Sequence, residues 1–198
     1  MEALLDQLKS EGNIVTAKDM ARIRKSPRYV SYLEKKDIVT KVLPGVYSLG
    51  DNFPDMRFAI HKKYPKVVFF GSDCLDLHGL SNWMPDKYQI ALPYNYMTRG
   101  IVYCKATHFN GKRYSLGIIY KKDDWGNLLP TYDLERIIVE LVKGDCFRLD
   151  AEQYEWVFNH LDRNKINFKK IEKYAKVISS KPSSLLEKIE NICKRQID

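Results

Sequence analysis

Hydrophobic positions in the first 50 residues recur at helical spacing in three short segments and then alternate in two more. Helices are predicted over residues 2–10, from Thr16, where Asp19 completes a capping box, and after Pro27. Residues 14–15 form a short extended link that can pair at a sheet edge. DIVTKV and VYSL alternate as strands on either side of the turn LPG. Helix, short strand, helix, turn, helix and hairpin, in this order, predict a winged helix-turn-helix.

The third helix, in the segment KSPRYVSYLEKKDIV (residues 25–39), has two unlike faces. Ser26 can accept hydrogen bonds from the amides of the first turn, and Pro27 suits the first helical position because its missing N–H is not needed there. At 3.6 residues per turn, the buried face consists of Tyr29, Val30 and Leu33. The opposite face carries two cations, a hydroxyl and a phenol, on Arg28, Ser31, Tyr32 and Lys35. That face suits either an ordinary solvated surface or contact with DNA.

Positive charge is concentrated around this helix. The chain of 198 residues has a formal net charge of +8, and the stretch from Lys18 to Lys41 holds eight Lys or Arg against three acids. The excess is therefore local, as it is in proteins that bind nucleic acid. A winged fold also serves protein–protein contact, and the charge is what favours DNA.

The candidate DNA contacts follow from the docking geometry of such a module. The second helix of the turn pair lies in the major groove, the first crosses the backbone, and its N-terminal amides at Thr16–Lys18 can face a phosphate. Lys41, near the hairpin tip, would reach a minor groove or a phosphate as the wing. The predicted contacts are Thr16, Lys18, Arg24, Lys25, Ser26, Arg28, Ser31, Tyr32, Lys35 and Lys41.

Residues 51–198 predict a second domain of the α+β class, with strands first and helices last, after a winged helix-turn-helix domain over residues 1–50. KVVFFG reads as a buried strand, and SDCLDLHGL as a short helix capped by Ser72 and stopped at Gly79. KYQIALP, IVYCKAT and YSLGIIY read as strands, with NYMTRG and HFNGKR as turns. Helices are predicted over 54–64, in DLERIIVELVKG up to Gly144, and over 150–161, 167–178 and 182–195.

The reactive groups favour a protein that is not an enzyme and that holds no metal or cofactor. Cys74 and His78 are i and i+4 on one helix, but sequence fixes no third group nearby, so a packed cysteine and a hydrogen-bonded histidine are the preferred interpretation. No glycine-rich phosphate loop and no carboxylate-x-Lys after a strand occurs. The four cysteines lack close metal-ligand spacing. Without an apolar run of membrane length or a signal peptide, a cytoplasmic protein with reduced thiols is expected.

Two charged features of the second domain have both a structural and a functional interpretation. Glu135 and Arg136 head an apolar helix, where the acid complements the helix dipole and the arginine can brace a domain interface. Lys169, Lys173 and Lys176 form a basic stripe at i, i+4 and i+7. The stripe is typical of a solvated face, and it also suits contact with DNA, RNA or an acidic toxin.

The chain resembles the AbiEi family of antitoxins from bacterial abortive-infection toxin–antitoxin systems over about residues 14–175. The matching segments are IVTAKDM, YLEKKDIVTKVLPGVYSLG, SDCLDLHGLSNWMPDKYQIALP and TYDLERIIVELVKG. Family members commonly have Ser-Ala-Leu where this chain has Ser72-Asp73-Cys74-Leu75, and they have Asp where it has Glu140.

The resemblance implies a winged helix-turn-helix that binds inverted repeats in its own promoter and represses the operon. It also implies a C-terminal domain that counteracts a nucleotidyltransferase-type toxin. The expected partners are therefore double-stranded operator DNA and the toxin, but not a membrane. The residues themselves predict DNA binding, whereas toxin neutralisation comes from the resemblance alone. Two alternatives stay open, a winged-helix regulator controlled by a small ligand and a nucleic-acid-processing enzyme.

Overall fold

The computed structural model describes residues 13–16, 18–19, 26, 28–49, 53–96 and 101–194. The helix predicted over residues 2–10 and the candidate contacts Arg24 and Lys25 lie outside these ranges. The chain is of the α+β class and divides into two compact units. The first contains the described residues up to Val67 together with 122–129, and the second contains 68–121 and the described residues from 130 onward. The first unit thus continues past residue 50.

A small antiparallel sheet forms the centre of the first unit. Its strands lie in the order β1-β3-β2, as the alternating pattern and the extended link predicted. The hairpin turns at Pro44-Gly45, where Gly45 has a φ of +77°, a value that L residues adopt only with strain. The elements of this unit are β1 (Ile14–Thr16), α1 (Arg28–Lys35), β2 (Val39–Leu43), β3 (Val46–Leu49) and α2 (Met56–Lys63).

Helices α1 and α2 pack against this sheet. Val30 and Leu33 of α1 join buried residues of the three strands in one hydrophobic cluster. Helix α2 contacts β1, β2 and β3. The buried face that the 3.6-residue period predicted for α1 is thereby confirmed.

The second unit is built on a mixed sheet in the order β6-β5-β4-β8-β7. Strands β4 and β5 are antiparallel, whereas β5–β6 and β4–β8 are parallel pairs. Strands occupy the middle of the chain and helices its end, as predicted. The elements are β4 (Val68–Phe69), α3 (Gly71–Leu77), β5 (Tyr88–Pro93), β6 (Cys104–Phe109), α4 (Gly111–Ser115), β7 (Ile118–Lys122), β8 (Leu128–Tyr132), α5 (Leu134–Lys143), α6 (Ala151–His160), a short 3-10 turn (Arg163–Lys165), α7 (Phe168–Ile178) and α8 (Pro182–Lys194). None of the helices within the described ranges has the length and apolar character needed to cross a membrane.

The predicted cap of α3 was wrong. The helix begins at Gly71 without a side-chain cap, and Ser72 lies inside its first turn. The Ser72 amide donates instead to Oε1 of Gln89 at 3.0 Å. Gly71, at a φ of +57°, leaves the space for this contact, since a Cβ there would lie 1.8 Å from the same oxygen. A distant glutamine thus replaces the local hydroxyl.

Two elements of the second unit were not predicted. Helix α4 lies partly in the segment HFNGKR that read as a turn, and Asn110 caps it by accepting from the Arg113 amide at 3.0 Å. Strand β8 lies between β4 and β7 although it contains Pro130, a residue that argues against an interior strand. Four of its five residues are buried, so it lacks the alternation by which half-buried strands are found.

Two carboxylates meet where the turn after β7 contacts the start of α2, both within the first unit. Asp55 caps α2 and also accepts from Asn127 Nδ2 at 2.8 Å. Asp123 Oδ1 accepts from the amides of Trp125 and Asn127. Its Oδ2 is buried and, in the described chain, has no donor. Burial, together with the neighbouring Asp55, raises the pKa of Asp123 to about 6.

Asp123→Asn should stabilise the protein at pH 7 by about 1 kcal/mol, a value reduced for the partial exposure of this site. The folded pKa lies above the unfolded one, so the native protein loses stability as pH rises from about 4 through about 6. Asparagine keeps both amide contacts through Oδ1, and its Nδ2 can donate to Asp55. Urea unfolding at pH 4 and pH 7 measures the effect, with the exposed neighbour Asp124→Asn as control. A gain of equal size at both pH values would contradict the raised pKa of Asp123.

Candidate nucleic-acid interface

Helix α1 is fixed at both ends by local hydrogen bonds. The Ser26 hydroxyl accepts from the Arg28 amide at 3.3 Å, and the Ser26 carbonyl accepts from the Tyr29 amide at 2.8 Å, which confirms the predicted cap. At the other end, the Ile38 amide donates to the Leu33 carbonyl at 3.0 Å. Asp37 has a φ of +55° and donates to the Glu34 carbonyl, as in a Schellman motif. The helix therefore presents its side chains in one defined orientation.

The two faces of α1 are divided as the sequence predicted. Val30 and Leu33 are 2% and 0% exposed, and Tyr29 is half-buried against the same cluster. The opposite face is exposed along its length and carries Arg28, Ser31, Tyr32 and Lys35. Tyr32, 44% exposed, stacks on the Tyr29 ring with 5.6 Å between centroids, so its phenol is held at the boundary of the two faces.

Among the described residues, the cations of this face have no acidic partner. Within the part of the chain that the structure describes, no carboxylate lies within ion-pair distance of Arg28, Lys35 or Lys41. Lys41 is exposed on β2, in the hairpin that follows α1. Lys63, in the last turn of α2, was not among the predicted contacts. Its pKa is lowered by burial and by the charge of Lys41.

Thr16 and Asp19 form the predicted capping box. The Thr16 amide and hydroxyl each donate to an Asp19 carboxylate oxygen at 2.8 Å, and the Asp19 amide donates to Thr16 Oγ1 at 3.2 Å. Burial raises the pKa of Asp19, but the hydrogen bonds from Thr16 and the charge of Lys62 outweigh it and hold that pKa below its usual value. The Thr16 amide thus already donates to a carboxylate, while Lys18 is exposed to solvent.

Cys74 and His78 belong to the packed interior of the second unit. Cys74 Sγ and His78 Nε2 both donate to the Tyr132 carbonyl, at 3.4 and 2.8 Å. His78 Nδ1 lies 3.3 Å from Lys121 Nζ and accepts from it in the tautomer that this arrangement requires. Burial lowers the pKa of His78 and raises the pKa of the Cys74 thiol to about 12. The structural interpretation of this pair is confirmed. Across the described ranges, no group of three or more His, Cys, Asp or Glu is arranged to hold a metal.

Glu135 and Arg136 have different structural roles. Glu135 accepts from the Asn167 amide at 3.0 Å and so links α5 to the start of α7. Arg136 is fully buried and pairs with Glu140, one turn further along the same helix. Its contacts lie within the second unit, so the expected brace at a domain interface is corrected to a brace inside the core.

The basic stripe of α7 is solvent-exposed along its length, on Lys169, Lys173 and Lys176. Lys176 pairs with Glu172 at 2.6 Å, which neutralises one end of the stripe. Lys169 and Lys173 make no ion pair with the described residues. The stripe as a partner surface stays a prediction.

No protein-family model and no curated protein matches the chain. Among solved structures, the fold is similar to that in the "Crystal structure of RV2827C protein from Mycobacterium tuberculosis", with a TM-score of 0.64. The match covers 96% of this chain and 79% of that chain at 14% sequence identity. At this identity, the likeness concerns the fold alone.

Proposed function

We propose that the protein is a transcriptional repressor that binds operator DNA through a winged helix-turn-helix, with α1 in the major groove and the β2–β3 hairpin as the wing. The observation that carries the proposal is the exposed face of α1. Its four polar side chains lie opposite a fully buried pair, and its cations have no carboxylate partner among the described residues. Cations on a helix face that carries no carboxylate suit a polyanionic partner.

Each side chain of this face has chemistry that DNA can use. The Arg28 guanidinium suits bidentate contact with the O6 and N7 atoms of guanine. Ser31 and Tyr32 offer hydroxyl groups to base edges or phosphates, and Lys35 offers a point charge to a phosphate. Lys41 lies on the neighbouring strand, where a wing meets the minor groove or the backbone.

The resemblance to AbiEi antitoxins extends the proposal to a toxin–antitoxin operon. The repressor would bind inverted repeats in its own promoter in the bacterial cytoplasm, and the second domain would counteract a nucleotidyltransferase-type toxin. Exposure of Lys169 and Lys173 supports the α7 stripe as a contact surface for an acidic partner. Antitoxin action itself rests on the resemblance.

Two other functions would give different results in simple assays. A regulator controlled by a small ligand would lack a toxin gene beside its own and would change its DNA affinity when the ligand is added. A nucleic-acid-processing enzyme would cleave or modify DNA in the presence of a divalent metal. Inspecting the adjacent reading frame separates the antitoxin proposal from the first of these.

Arg28→Ala should weaken binding to the promoter fragment by about 1–3 kcal/mol and relax selectivity at one or two base pairs, because a bidentate base contact is lost. Lys41→Ala should instead weaken binding to all duplexes about equally, as a backbone contact does. Binding isotherms on the promoter and on an unrelated duplex measure both effects. When they are repeated at increasing salt concentrations, the affinity of the unmodified protein should fall steeply. Unchanged selectivity in Arg28→Ala would mean that α1 does not read bases.

A further inference from the structure

Lys62 of α2 contacts two separate parts of the first unit with one ammonium group. Its Nζ donates to the Ile14 carbonyl of β1 at 2.9 Å and lies 3.4 Å from Asp19 Oδ2. The side chains of Lys62 and Asp19 are only 17% and 11% exposed, so solvent screens the pair weakly. The two residues are 43 positions apart in the sequence, and their contact ties α2 to the N-terminal part of the chain.

The carboxylate that Lys62 approaches is the one that completes the capping box at Thr16. Asp19 Oδ2 accepts from both the Thr16 amide and the Thr16 hydroxyl, and Lys18 and Asp19 are helical. Strand β1, whose carbonyl Lys62 also binds, pairs with β3 of the hairpin. Lys62 therefore contacts the start of the first helix of the predicted turn pair and the sheet that contains the predicted wing.

The charge of Asp19 has opposite effects on the helix and on DNA. A carboxylate in the first turn stabilises a helix, because it faces the free amides of that turn. The same negative charge repels the phosphate that this helix end is predicted to meet. The ammonium group of Lys62 offsets the charge of Asp19 and, being largely buried, is not presented to a phosphate. Lys35 and Lys41, by contrast, are exposed to solvent.

We propose that Lys62 is a positioning residue for DNA binding, which holds the start of the first helix of the turn pair against the small sheet and neutralises Asp19 there. This inference rests on the proposed function and extends the DNA-binding domain beyond residues 1–50, to include α2. Lys62 acts through Asp19 and the Ile14 carbonyl and contacts no phosphate itself. Its loss should therefore lower the affinity for DNA without changing the number of phosphate contacts.

The first measurement is the salt dependence of promoter binding by the full chain with Lys62→Met. The affinity should fall about 2- to 30-fold, the range for residues that act on a binding site without touching the ligand. The log–log salt slope should stay that of the unmodified protein, whereas loss of a phosphate contact would lower it by about 0.9. Lys62→Arg keeps the cation and should restore the affinity. A slope lowered by one phosphate would make Lys62 a direct contact and would overturn the inference.

Asp19→Asn tests whether the effect passes through this carboxylate. Asparagine can still accept from Thr16 through Oδ1, but it carries no charge for Lys62 to neutralise. In the Asp19→Asn background, Lys62→Met should therefore lower the affinity several times less than it does in the unmodified chain. Equal losses in the two backgrounds would mean that Lys62 acts independently of Asp19, which the inference does not allow.

Thermal melts separate positioning from folding. Lys62→Met should melt at a lower temperature, because a partly buried ion pair is lost, and binding is compared where every variant is folded. A variant that melts lower but binds DNA with the unmodified affinity would show a purely structural role and would overturn the inference. If Lys62→Met does not fold, the double variant with Asp19→Asn decides, and it should bind nearly as Asp19→Asn does. Lys87→Met removes one exposed charge from the second unit and should leave affinity and slope unchanged.

Arg28→Ala distinguishes failure of this inference from failure of the proposed function. If Arg28→Ala loses affinity while Lys62→Met binds as the unmodified protein does, the positioning role is wrong and the repressor proposal stands. If neither variant changes binding, both are wrong.

Discussion

Glu140→Gln should destabilise the second unit by about 3–5 kcal/mol, because it leaves a buried guanidinium without its counter-charge. Arg136 and Glu140 are both 0% exposed, and Arg113, 17% exposed at its side chain, donates to Glu140 Oε1 through Nε at 2.9 Å. One carboxylate therefore serves two arginines. Urea unfolding followed by circular dichroism measures the loss.

The surroundings of Arg136 offer no substitute for the carboxylate. Its guanidinium lies 5.4 and 5.2 Å from the ring centroids of Phe109 and Tyr132, and its Nη2 donates to the Arg113 carbonyl at 3.2 Å. Its Nε has no acceptor within the described structure. The aromatic faces and one carbonyl stabilise a cation, but they do not neutralise it.

The exposed pair on α7 provides the matched comparison. Lys176→Ala breaks an i, i+4 ion pair with Glu172 in which both partners are solvated, and it should leave the urea midpoint almost unchanged. If the free energy of unfolding of Glu140→Gln also stays within about 1 kcal/mol of that of the unmodified protein, Arg136 does not depend on Glu140 for its counter-charge.

The features that sequence predicted are those set by neighbouring residues. The β2–β3 hairpin follows from Pro44-Gly45, and the exposed face of α1 follows from the helical period and the Ser26 cap. The capping box of Thr16 and Asp19 is likewise complete within four residues. In each case the hydrogen bonds or steric preferences that decide the structure join residues only a few positions apart, so the local sequence predicts them.

The features that sequence missed depend on partners far along the chain. Gln89 takes the place of the Ser72 cap from 17 residues away, and Arg113 reaches Glu140 across 27. The i, i+4 spacing of Arg136 and Glu140 is present in DLERIIVEL, but spacing alone does not show that the pair is buried or that Arg113 joins it. Burial and the charge of Lys41 lower the pKa of Lys63 only once α2 packs on the small sheet. Such contacts require the tertiary fold before they can be seen.

The other large effect is expected from removing the whole polar face of α1. Under the proposed function, a variant with alanine at all four positions (Arg28, Ser31, Tyr32 and Lys35) should lose operator binding and derepress the operon, while still rescuing cells from the toxin. Folding should persist, since the core contacts of this helix come from Val30 and Leu33 on its other side. Alanine also has the highest helix propensity, so α1 itself should be retained. The measurements are promoter-reporter repression and growth rescue, with thermal melts of each variant.

The reciprocal variant tests the second domain. Charge reversal at Lys169, Lys173 and Lys176 should leave repression intact, because the predicted DNA contacts all lie in the first unit. It should abolish rescue if the stripe is the surface that meets the toxin, since Lys169 and Lys173 are exposed and unpaired by described acids. A quadruple variant that is folded yet fails to rescue would show that α1 also serves antitoxicity, and the division of labour between the two domains would then be wrong.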